Sequence, residues 1–105
     1  MRETSLLAYQ QIKANGVLSK RRFQAYEVLY RSEWPMTASE VADAAHVPGL
    51  WKRMSELRRI GVAREAGGRV CKVTGHTATL WELTDYVPTE EDIEAAIRKP
   101  EEKIP

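Results

Sequence analysis

The chain has 105 residues, of which 43% are hydrophobic and 30% charged, and its formal net charge is +1. This is the length and composition of one globular domain, which excludes a disordered or fibrous chain. A single cysteine, Cys71, excludes an intrachain disulfide. No apolar run approaches the ~18 residues of a membrane span, and Met1-Arg2-Glu3-Thr4-Ser5 does not open a secretory signal, so a reducing, cytoplasmic setting without a membrane partner is expected.

The segment from Ser5 to Asn15 carries Leu6, Tyr9 and Ile12 without Gly or Pro and predicts a short helix, capped by Thr4 and ended by Gly16. A second helix is predicted after Ser19, with Phe23, Tyr26, Leu29 and Tyr30 on one side and Trp34-Pro35 beyond its end. Thr37, with Glu40 three residues on, forms a capping box for a third helix that ends near His46. Val47-Pro48-Gly49 predicts a tight turn, and residues 50–60 a fourth helix with Leu50, Met54 and Leu57 facing the core and Gly61 at its C-cap.

Beyond Gly61 the period changes. Residues 62–65, 69–74 and 78–83 are β-like and are separated by Gly67-Gly68 and Gly75-His76. They predict a twisted hairpin with its tip near Gly75-His76-Thr77 and a bulge or extra turn at the glycine pair. Thr89 opens a last helix whose first turn holds Glu90, Glu91 and Asp92, as a helix dipole prefers. Ile93, Ala96 and Ile97 form its narrow apolar stripe and Pro100 ends it. So little apolar surface must pack on something, either the first helix (Leu6, Leu7, Tyr9) or a second copy of the chain.

Thirteen of the sixteen basic residues precede Glu82, against seven of the fifteen acidic ones. A basic body therefore carries an acidic end, which suits a polyanionic partner for the body and makes the end a candidate competitor for the same basic face. Lys20-Arg21-Arg22 occupy the first turn of a predicted helix, where the dipole disfavours cations, so nothing in folding selects them; a phosphate there would meet backbone N–H groups and three cationic side chains. On residues 50–60, Lys52, Ser55, Glu56 and Arg59 face away from the core. The cations suit guanine edges or phosphates and Glu56 a cytosine amino group, the plain alternative being helix pairs of Glu56 with Lys52 and Arg59. Trp51 flanks the apolar stripe, either packed against the first helix or serving as a platform for a ligand or partner. On the hairpin, Arg69, Lys72, His76 and Thr77 are candidates for phosphate or minor-groove contact. His46, His76 and Cys71 are too few and too scattered for a zinc site, and there is neither a phosphate-binding glycine loop nor a nucleophile motif. No catalysis, metal or cofactor is expected.

Helix, helix, helix and β-hairpin, with Thr37, Glu40, Val41 and Ala42 opening one helix and Leu57, Gly61 and Val62 closing the next, resembles the winged helix-turn-helix superfamily, especially its MarR-like branch. The resemblance covers roughly residues 19–84. It implies an α+β, mostly α, fold with a three-helix core, a β-hairpin wing and extra terminal helices. Residues 1–88 would form the domain and 89–105 an acidic helix and tail. It implies binding of double-stranded DNA by a small bacterial or phage regulator or accessory factor, and pairing of two copies through terminal helices. Winged helices also serve as protein-interaction modules, so contact with a replication or transcription component through Trp51 or the acidic tail is the alternative.

Overall fold

The computed structural model describes residues 6–97. Thr4, Ser5 and Pro100 lie outside the described residues. Helix α1 (Leu6–Asn15) stops where Gly16 takes φ +65°, and it buries Ala8, Tyr9 and Ile12 while Leu6 and Leu7 stay exposed. Helix α2 (Lys20–Arg31) starts at Ser19, whose hydroxyl accepts from the Arg22 N–H at 3.4 Å, and it buries Ala25, Tyr26 and Leu29. The Tyr9 ring stacks on Tyr30 with centroids 4.0 Å apart, and its hydroxyl donates to Glu27 at 2.8 Å, joining α1 to α2.

Strand β1 (Met36–Thr37) leads into α3 (Ala38–Ala45) through the capping box of Thr37 and Glu40. His46 ends α3 in the left-handed region, and Gly49 turns the chain again at φ +80°. A 3-10 turn (Leu50–Arg53) then runs into α4 (Met54–Ile60). The predicted single helix over 50–60 is thus corrected in its first turn. The Lys52 N–H closes on Gly49 O at 3.1 Å, and the tighter winding of such a turn rotates Trp51 and Lys52 away from their α-helical directions. Leu50, Met54, Leu57 and Ile60 are all buried, with Tyr26, Val41, Val62, Trp81 and Leu83 around them.

Strands β2 (Ala63–Val70) and β3 (Thr77–Leu83) form an antiparallel hairpin, with β1 pairing on the far side of β3 to give the order β1-β3-β2. The register slips between Glu65 and Gly68, the bulge expected at the glycine pair. The expected strand over 69–74 ends instead at Val70, because Cys71 turns inward. The Cys71 N–H donates to His76 O and its carbonyl accepts from the Gly75 N–H, both at 2.8 Å, which closes a loop over 71–76. The Cys71 sulfur lies under the Thr37 hydroxyl, which donates to it at 3.0 Å. Burial pushes this thiol's pKa up, but that bond and the amides of Thr74 and Val73 outweigh burial and bring it to about 7.

Within the chain, helix α5 (Glu90–Ile97) does not take α1 as its main partner. It lies against α4, with Ala96 buried and Ile93 half-buried. The connection is tied down at both ends. Thr84 donates through its hydroxyl to Gly61 O at 2.6 Å, the Tyr86 ring lies on Gly61, and the Tyr86 hydroxyl bonds Asp92. Thr89 and Asp92 cap α5 reciprocally, at 2.8 and 3.3 Å. Gly61 itself sits at φ +104°, and a Cβ there would stand 3.0 Å from the Tyr86 ring. Gly61→Ala is expected to cost about 2 kcal/mol, mostly backbone strain, and a thermal melt should show a midpoint lower by on the order of 10 °C.

Candidate nucleic-acid interface

The first turn of α2 presents Lys20 and Arg21 outward, with Arg21 held to Gln24 at 3.0 Å. Arg22 turns the other way. Its Nε donates to Glu56 Oε1 at 3.0 Å, while Glu56 Oε2 accepts from Arg53 at 2.7 Å. Burial pushes the Glu56 carboxyl up, but these two guanidiniums overcome that and hold it below its ordinary range. One carboxylate therefore serves two arginines, and the junction of α2 with the 3-10 turn and α4 stays net positive. Glu56 thus pairs with Arg53 and Arg22 rather than with Lys52 and Arg59. Lys52 and Ser55 are exposed, and the Lys52 ammonium stands 5.7 Å from the centre of the Trp51 ring.

Other candidates are engaged elsewhere. The Arg59 Nε donates to Ala96 O at 3.2 Å and so anchors α5. Arg69 forms a two-point ion pair with Glu40 at 2.6 and 2.7 Å, and the Lys72 N–H donates to the same carboxylate at 2.8 Å. The hydrogen bonds from Arg69 come first among the forces that hold Glu40 at a pKa of about 2, against the opposing effect of burial. Arg69 thus fastens the hairpin to the start of α3. The Lys72 side chain, His76 and Thr77 remain exposed at the hairpin end. Trp51 does not pack under α1. It is 50% exposed and faces Val73 of the hairpin loop across a groove beside α3.

The structure joins Arg22, Arg53 and Glu56 at the α2–α4 junction, leaves Lys20, Arg21, Lys52 and Ser55 exposed, diverts Arg59 and Arg69 into structural bonds, and sets Val73 of the hairpin loop across a groove from Trp51 of the 3-10 turn. Arg53, not singled out from the sequence, belongs to the cluster. Its only local signal is Glu56 three residues on, a spacing that brings side chains together on a helix. Glu40 was legible as a cap, but nothing local announced that its carboxylate also holds Arg69 and the Lys72 amide.

Among the described residues no group of three His, Cys, Asp or Glu side chains is placed to hold a metal, and no helix is long and apolar enough to cross a membrane. Comparison with family models, with curated proteins and with solved structures finds no match to this chain. Removing the Arg59 side chain is expected to loosen α5, at about 1.5 kcal/mol for one hydrogen bond from a charged donor. Hydrogen exchange should then speed up over residues 90–97 while α2 and α3 keep their protection.

Proposed function

We propose that this chain binds double-stranded DNA in the manner of a winged helix, as a small regulator or accessory factor. The observation that carries this reading is the sharing of Glu56 by Arg22 and Arg53. It fastens the start of α2 to α4 and leaves Lys20, Arg21, Lys52 and Ser55 exposed. Lys20 and Arg21 would take phosphates, aided by the first amides of α2, which have no acceptor within the helix. Lys52 and Ser55 would meet base edges in the major groove. Lys72 and His76, on a loop braced through Glu40, would touch the backbone or the minor groove. Arg59 and Arg69 act in this scheme by holding α5 and the hairpin, not by touching DNA.

Titration of a fluorescently labelled random duplex across a salt series tests the reading. Neutralising three or four phosphates should give a slope of about −3 to −4 in log K against log salt, with dissociation constants of ~10⁻⁴–10⁻⁶ M for non-specific sequence at physiological salt. An affinity that is absent at low salt, or indifferent to salt, would overturn it.

A further inference from the structure

We propose that the groove between α3, the 3-10 turn and the hairpin loop docks a segment of a partner protein in which a lysine or arginine is flanked by large apolar side chains. The groove has a volume of about 470 Å³ and is walled by Ala42, Asp43, Val47, Pro48, Trp51 and Val73 among others. Two of these walls are large apolar side chains left about half exposed, Trp51 at 50% and Val73 at 49%. Past Asp43 and Val73 the surface continues into a second depression of about 300 Å³, where Trp34 is 71% exposed beside Pro35. Among the described residues, Trp34, Trp51 and Val73 belong neither to the buried core nor to the side chains packed against it. Such contiguous exposed apolar surface marks a protein contact, and tryptophans in pockets are where binding energy concentrates.

Charge selects the occupant. Glu27, Glu40, Glu56, Glu65 and Glu82 each meet an arginine of this chain. Asp43, in the wall common to both depressions, has no side-chain hydrogen bond or ion pair among the described residues. A carboxylate there repels a phosphate backbone, while the groove shares the 3-10 turn and the hairpin loop with the surface proposed for DNA, and Lys72 lines the second depression. The carboxylate attracts an ammonium or guanidinium whose aliphatic stem would lie along Ala42 and Val47, while the flanking apolar side chains of the segment cover Trp51 and Trp34. The proposal stands independently of DNA binding.

A random-peptide display library panned against the full chain tests it, with the selected peptides then titrated by fluorescence anisotropy. Enriched peptides should share a lysine or arginine flanked by aromatic or aliphatic residues. Their affinity should fall at least tenfold for Trp51→Ala and for Asp43→Lys, and by a smaller factor for Asp43→Asn, which removes the charge with almost no change of shape. Lys20→Glu/Arg21→Glu should leave it unchanged. Circular dichroism melts confirm that each variant is folded. The proposal fails if no peptide is enriched above background, if the enriched motif is acidic, if the groove variants bind as the parent does, or if sedimentation shows that a second copy of the chain fills the groove.

Discussion

Glu40→Ala is expected to lower the thermal midpoint by on the order of 10–20 °C. The Glu40 carboxylate is almost fully buried and accepts from the Arg69 guanidinium at two points, from the Lys72 amide and from the Thr37 amide. Removing it leaves a partly buried cation and two amides without acceptors, and breaking such a pair costs about 3 kcal/mol. In a domain of this size each kcal/mol shifts the midpoint by roughly 4–8 °C. The same site predicts an acid sensitivity. The carboxyl is held at about 2, below its ordinary 4.5. The stability it contributes is therefore complete above about pH 4.5 and is lost as pH falls through the folded value near 2. Other carboxylates are also lowered, so the informative quantity is the difference between the parent and Glu40→Gln in chemical-denaturation free energy. That difference should be constant above about pH 5 and shrink on further acidification. A variant melting within a few degrees of the parent, or a difference indifferent to acid, would show that Glu40 does not brace the hairpin.

The double variant Lys20→Glu/Arg21→Glu should bind duplex DNA at least a hundredfold more weakly at low salt, with the salt slope flattened by about two units. Each phosphate contact contributes about 0.9 units to that slope, and carboxylates in place of the cations add repulsion. Folding should respond in the opposite direction. Acidic side chains in the first turn of a helix interact favourably with its dipole, by a few tenths of a kcal/mol each, so the melting midpoint should hold or rise slightly. This opposition separates a binding role from a structural one. Parent-like binding by a well-folded double variant would place the phosphate contacts elsewhere.

What was legible in the sequence followed local rules. Ser19 and Thr37 as caps, Gly61 as a left-handed helix end, the stripe of Leu50, Met54 and Leu57, and the bulge at Gly67-Gly68 each depend on neighbours within a few residues. Their chemistry is therefore readable from spacing alone. The 3-10 turn was not legible, because Gly49 and Pro48 announce a turn without stating how tightly the chain leaves it. Strand β1 was not legible either, since two residues carry no period and gain their pairing only from β3.

The candidate site was least legible where arginines chose their partners. Arg22 with Glu56 spans 34 residues and Arg69 with Glu40 spans 29. An exposed arginine and one committed to a buried carboxylate look alike in a sequence, and only the folded geometry distinguishes them. Lys20 and Arg21 differ from their neighbour Arg22 for the same reason. At 100° per residue on α2, Arg22 turns inward to Glu56 while the two before it face out. The destination of α5 was likewise set by long-range contacts, Tyr86 on Gly61 and Arg59 on Ala96 O.

The proposed DNA-binding surface is the α2–α4 junction. Amide chemical-shift mapping of the isotopically labelled chain, titrated with a random duplex at low salt, tests it most directly. The largest perturbations are expected at residues 19–22 and 52–56, smaller ones over the hairpin loop at 72–76, and none along α1 or in the core of α5. Perturbations centred on α1 or α5, or none at any residue, would contradict it.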